Sequence, residues 1–250
     1  LKLKGIKDHF SELSQGYQKY RPSYPKELFE FIYGHCRYFD KAWDCGTGNG
    51  QAAIMLSKKF KEVFATDISQ NQLNLATNQD NITYLIQRAE STEFESDYFD
   101  LICVAQAVHW FDLDTFNTEA KRVLKPDGTL AIWGYDLIMV NQKIDMIVDQ
   151  FYNKTVGEYW NKERKSIEKH YEDLDFTFEE IPVKYFFEFK IQWSLDHFIG
   201  YISSWSAVKN FKKSNGSDPT IKLRENLSEI WNGERTVIFP IFLRLFKKPY

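Results

Sequence analysis

The chain has 250 residues, 43% of them apolar, which is enough for one α/β domain with an insertion and a sizeable core. Its net charge of −3 leaves no broad basic footprint, and the Lys212-Lys213 and Lys247-Lys248 pairs are too short to make one, so a nucleic-acid substrate is not expected. Cys36, Cys45 and Cys103 are odd in number and form no Cys-x-x-Cys pair; with no signal-peptide pattern and no membrane-length apolar run, a reducing, cytoplasmic setting is expected.

Residues 1–25 precede the first predicted strand. Phe10, Leu13, Tyr17, Tyr20 and Tyr24 recur at spacings of three and four, and the segment ends in Tyr20-Arg21-Pro22-Ser23-Tyr24-Pro25. Two prolines that close cannot sit inside a helix, so a short helix followed by an extended elbow is expected. Two readings stay open: an arm packed on the core by its tyrosines, or a lid with Tyr17, Tyr20 and Arg21 facing a ligand. Pro25 opens a helix with Leu28, Phe29, Phe31 and Ile32 as its apolar side.

Ala42-Trp43-Asp44-Cys45 then runs into Gly46-Thr47-Gly48-Asn49-Gly50, and a helical period of Ala53, Leu56 and Phe60 follows. That is a strand, a glycine turn and a helix start. Glycine permits positive φ and lets a ligand lie against bare main chain. The helix start offers unpaired N–H groups and partial positive charge. Such a corner suits a nucleotide or an amino-acid carboxylate. A second strand, Glu62 to Thr66, ends at Asp67, where an acid in an open α/β sheet accepts from ribose hydroxyls. Ser69 and Gln72 have capping-box spacing for the next helix. Ile82 to Ile86 is a third strand, leading to Ala89-Glu90.

Phe99 to Ala105 is a nearly unbroken apolar strand, as expected where both faces of a parallel sheet are covered. It enters Gln106-Ala107-Val108-His109-Trp110-Phe111, then a helix capped by Asp112 or Asp114. Lys125-Pro126-Asp127-Gly128 is a turn, and Thr129 to Tyr135 a fifth strand. Five βα units in succession imply a mostly parallel, Rossmann-like sheet with helices on both faces. Beyond residue 136 the rhythm changes. Ile144 to Phe151 reads as a helix, residues 153–182 have no strong period, 184–193 is a strand, and 198–205 is a helix. Residues 209–220 read as a loop, 223–231 as a helix, and 238–246 as the last strand, with Pro240 awkward inside it. The expected total is seven strands in one domain, 1–250: a lid (1–25), a core (26–136), a cap-rich insertion carrying strand six (137–233) and the last strand (234–250). Phe, Tyr and Trp number 21, 14 and 7, more than one core should hold, so an aromatic-lined cavity is expected.

Taken together these stretches resemble the class I S-adenosylmethionine-dependent methyltransferases, in particular the small-molecule branch with trans-aconitate methyltransferase. The glycine corner, Asp67, Ala89-Glu90, His109-Trp110-Phe111 and Gly128 to Tyr135 match successive motifs; Tyr20 to Pro25 matches an N-terminal signature, and Trp205-Ser206-Ala207 is similar to a cap helix. Arg88 departs from the small or acidic residue often found there. The resemblance implies S-adenosylmethionine as cofactor, S-adenosylhomocysteine as product, and a small-molecule methyl acceptor. It implies that Asp44, Gly46, Gly48, Gly50, Asp67, Ile68, Ala89, Glu90, Ala105 and Gln106 hold the cofactor. Tyr17, Tyr20, Trp110, Trp133, Tyr135 and Trp205 are candidates for the acceptor pocket. A carboxylate acceptor would need no base and could pair with Arg21; a hydroxyl or amine would make His109 the best-placed base. His9, His35, His170 and His197 show no ligand spacing, so no metal is expected. Two rivals stand beside this reading. A nicotinamide-dependent oxidoreductase shares the fold, but its fingerprint wants a third glycine where Gln51 stands. A binding module that kept the fold without catalysis is the other.

Overall fold

The computed structural model describes residues 24–249. Tyr17, Tyr20 and Arg21, and with them all of the expected lid (1–25) except Tyr24 and Pro25, lie outside the described residues.

The first half alternates helix and strand except between residues 86 and 99, which no helix bridges, so the expected succession of five βα units is interrupted there by a loop. Behind Pro25, α1 (Lys26–Tyr33) buries Leu28, Phe29 and Ile32 on one side. Phe31 turns away instead and packs against Tyr185 and Phe187. Then come β1 (Lys41–Cys45), α2 (Gln51–Ser57), β2 (Glu62–Asp67), α3 (Gln70–Leu73), β3 (Ile82–Ile86), β4 (Phe99–Ala105), α4 (Leu113–Val123) and β5 (Leu124–Tyr135). The five strands are parallel in the order β3-β2-β1-β4-β5. β1 and β4 are almost wholly buried, because helices cover both faces. The expected turn at Lys125 to Gly128 loops out of β5: pairing with β4 jumps from Leu124 opposite Phe99 to Thr129 opposite Leu101.

The second half adds α5 (Gln142–Gln150), α6 (Lys165–Glu168), β6 (Glu179–Ile181), β7 (Phe187–Trp193), α7 (Leu195–Ser203), α8 (Ser206–Asn215), α9 (Thr220–Ser228) and β8 (Arg235–Lys247). β8 is antiparallel to β5, and its far edge is shared by β6 and β7. The sheet therefore has eight strands, not the seven expected. The additional strand, β6, is three residues long, too short for an alternating pattern to show. Residues 209–220 are also corrected: most of the stretch is α8, which buries Ala207 and Val208 and ends on Gly216 at φ +67°. Its lysines lie on the outward side of a helix, where they had suggested a loop. Pro240 sits within β8. Its carbonyl accepts from Asp136 N, just past the end of β5, so the N–H it lacks would point where the ladder has already stopped.

One apolar cluster runs from Leu28 and Phe29 through the sheet to Phe198, Trp205 and Leu223, so the cap helices share a core with α1 and α2. A second cluster fills the other face beneath α4. Among the described residues, no helix is long and apolar enough to cross a membrane.

Candidate active site

The chain leaves β1 for β2 and β3 on one side, then returns to β4 and β5 on the other. The carboxyl ends of β1 and β4 therefore flank the switch point of the sheet, where open α/β folds form a crevice. A cavity of about 630 Å³ opens there.

Its floor is the glycine turn. Gly46, Gly48 and Gly50 all have positive φ, at +72°, +57° and +84°. The three glycines have different reasons to be bare. A Cβ at Gly46 would meet Ala107 Cβ at 2.6 Å, and one at Gly50 would strike the Tyr84 hydroxyl. A Cβ at Gly48 would meet no atom of the described residues within 4 Å. Gly46 and Gly50 thus let the chain pack on itself, whereas Gly48 leaves main chain open to the cavity. Gly46 and Gly48 line the cavity; Gly50 stands behind them as the residue before α2.

Asp67, at the end of β2, lines the same cavity. Gly48 N donates to its Oδ2 at 2.9 Å and Ser69 N to its Oδ1 at 2.8 Å. Ser69 makes no side-chain cap to α3, so the capping box expected with Gln72 does not form. Asp44 lies beneath the turn, fully buried. Its Oδ2 accepts from Thr47 Oγ1 and from Ala53 N, at 2.5 and 2.9 Å, which ties the turn to α2. Its Oδ1 has no partner among the described residues. Burial pushes the Asp44 carboxyl up to about 7, against the pull of these hydrogen bonds.

Ile68, Ala89, Glu90, Ala105 and Gln106 all line the cavity, with Trp110, Phe111 and Asp112. Glu90 holds the rim: its Oε1 accepts from Asp112 N at 3.0 Å and its Oε2 from Arg88 Nε at 3.2 Å. Gln106 is left-handed, at φ +57°, a conformation costing a non-glycine residue on the order of 1–3 kcal/mol. Gln106 N donates to Trp133 O, which fixes the bend leading from β4 into the Val108–Trp110 turn.

Several expected residues are elsewhere. His109 is not on the cavity wall. Its Nδ1 is 3.1 Å from Tyr171 Oη, and burial, with the Arg164 charge nearby, pushes its pKa down to about 3. Trp133 is fully buried, edge-on to Tyr24 and Phe29. Tyr135 packs on Phe239, and Trp205 on Tyr152 and Trp160. Of the aromatic candidates among the described residues, only Trp110 reaches the cavity. Tyr24 and Glu163 also line it, although neither had been assigned to a site. Tyr24 belongs to the proline elbow, which carried a signal. Glu163 comes from a cap stretch without periodicity, which carried none.

The arrangement suits a nucleoside with a charged tail. Main chain is bare at Gly48, an acceptor for sugar hydroxyls stands at Asp67, and two enclosed acceptors, Asp44 Oδ1 and Gln72 Oε1, have no hydrogen-bond partner among the described residues. No group of three or more His, Cys, Asp or Glu that could hold a metal occurs among the described residues.

Comparison with known proteins gives the family. The family described as "Methyltransferase domain" matches residues 43–132. A Dictyostelium discoideum protein named as a methyltransferase is 37% identical over 96% of this chain and 95% of its own length. A Saccharomyces cerevisiae protein named as an S-adenosylmethionine-dependent methyltransferase is 24% identical over 83% of this chain and 84% of its own. A solved structure described as a type II methyltransferase from Anaeromyxobacter dehalogenans superposes with a TM-score of 0.86 at 33% identity, covering 92% of this chain and 99% of that one.

Proposed function

The chain belongs to the class I S-adenosylmethionine-dependent methyltransferases, and from that premise we propose that it methylates a small-molecule acceptor, a carboxylate by preference, by in-line displacement. The observation that carries the cofactor site is the Gly48 main chain, open to the cavity and hydrogen-bonded to Asp67. Gly48 would carry the adenosine on its bare main chain, with Gly46 and Gly50 shaping the turn. Asp67 accepts from the ribose hydroxyls, Ile68 packs on the adenine, and Ala89 and Glu90 border its edge. Ala105 and Gln106 form the floor below the reacting centre. Asp44 steadies the methionyl ammonium through the turn it braces. The family membership replaces the nicotinamide reading.

Bound S-adenosylmethionine supplies an electrophilic methyl group on a sulfonium, so the protein needs no nucleophile of its own. What this chain must do is align the acceptor and keep water away. Trp110 supplies an aromatic wall toward the cationic centre, worth on the order of 1 kcal/mol or more when dry. A carboxylate is already ionised at pH 7 and asks for no base. That suits a His109 turned to Tyr171 and held neutral. The trans-aconitate-like resemblance points the same way, with Arg21 pairing the acceptor; Arg21 lies outside the described residues. Residues 137–233 act as the cap of the same single domain, and the free thiols of Cys36, Cys45 and Cys103 suit a cytoplasmic setting.

The experiment is a screen of small carboxylic acids, phenols and amines with methyl-labelled cofactor. Label transferred to acids supports the reading; label transferred to amines or phenols alone overturns the carboxylate preference.

A further inference from the structure

Gln72 is 3% exposed and forms part of the cavity wall with Asp67 and Ile68. Its main-chain N–H is used within the turn, donating to Ser69 O. Its side-chain amide makes no hydrogen bond among the described residues, and Oε1 is enclosed without a partner. An enclosed carbonyl oxygen with nothing to bond destabilises a fold, and a leucine or methionine would fill the same space without that cost. The amide is therefore placed for something that enters the cavity.

We propose that Gln72 completes the ribose site, hydrogen-bonding one ribose hydroxyl of the cofactor while Asp67 takes the other. Asp67 already receives two main-chain donors, from Gly48 and Ser69, so part of its accepting capacity is spent. A vicinal diol presents two hydroxyls, and Gln72 supplies the second group to meet them. An amide offers an acceptor at one end and donors at the other, and a hydroxyl answers either. The proposal rests on the cofactor reading above.

The test is titration calorimetry of S-adenosylhomocysteine and its 2′-deoxy and 3′-deoxy forms against wild type, Gln72→Met and Gln72→Leu. Both substitutions fill the volume and remove the amide. The parent compound is expected to bind the variants about tenfold more weakly, the loss of one hydrogen bond. One deoxy form should bind wild type about tenfold more weakly than the parent and bind the variants with no further loss. The ligand-free variants should melt at or above the wild-type temperature, since an unsatisfied amide has gone. Unchanged affinity for the parent, or a deoxy penalty that persists in full in both variants, overturns the proposal. So does a lowered melting temperature in both, which would give the amide a partner in the free protein. A wild type that binds no S-adenosylhomocysteine overturns the cofactor reading instead, and does so before any variant is compared.

Discussion

Gly48 N donates to Asp67 Oδ2 at 2.9 Å, across the carboxyl ends of two neighbouring strands. One bond thereby sets the glycine turn and the sugar acceptor in fixed relation before any ligand arrives. Preorganisation of this kind removes ordering cost from binding.

The turn should separate affinity from stability. Gly48→Ala places a methyl group where no atom of the described residues stands within 4 Å, at the cost of positive φ, about 1 kcal/mol. It should weaken S-adenosylhomocysteine binding at least tenfold with a modest fall in melting temperature. Gly46→Ala meets Ala107 and should lose stability first. Paired melting and calorimetry on the two variants check this. Equal effects of both variants on both readouts would contradict the division of roles.

Trp110 and Trp133 should also divide. Trp133 is a fully buried core residue, and Trp133→Ala should cost about 3–5 kcal/mol in urea unfolding. Trp110→Ala should slow methyl transfer at least tenfold while moving the unfolding midpoint far less. A Trp133 variant of wild-type stability would contradict the packing described.

His109 is held neutral by burial, with a folded pKa of about 3 against an ordinary value near 6.5. The unfolded chain takes up a proton that the folded chain refuses, so this contribution to stability is full above pH 6.5 and is lost as pH falls toward about 3. His109→Asn should flatten that part of the melting-temperature profile and leave the pH dependence of methyl transfer unchanged. A hundredfold loss of transfer in a folded variant would restore His109 as a base.

Asp44 works in the opposite sense. Burial raises its folded pKa to about 7, above the unfolded carboxyl, so its contribution is present below pH 4 and is lost as pH rises through about 7. Asp44→Asn should remove this decline. If a cofactor ammonium draws the carboxylate into its charged form, binding at pH 7 should release protons. Calorimetry in two buffers of different ionisation enthalpy measures that release, and Asp44→Asn should abolish it.

The core of this fold was legible because β1, β2 and β4 are short apolar runs, and the chemistry lies on the residues that end or follow them: Gly46 after β1, Asp67 at the end of β2 and Gln106 after β4. The pocket aromatics were not. Trp133 and Tyr135 alternate along β5 as wall or core residues would, but Tyr24 and Phe29 pack on the first and Phe239, far along the chain, on the second. Composition signalled an excess of aromatics but could not say that Tyr152, Trp160, Tyr201 and Trp205 pack on one another in the cap. Glu163 was invisible because it enters the cavity from an irregular stretch, and β6 because three residues carry no period. Gln72 was read as part of a capping box; its buried, partnerless amide shows only in three dimensions.

The central claim is an adenosine laid on Gly48 and hooked by Asp67, and titration of S-adenosylhomocysteine into wild type and Asp67→Ala tests it most directly. Wild type should bind one molecule per chain, and the variant, with an unchanged circular dichroism spectrum, should bind at least a hundredfold more weakly. Equal affinity in the two proteins would contradict the account.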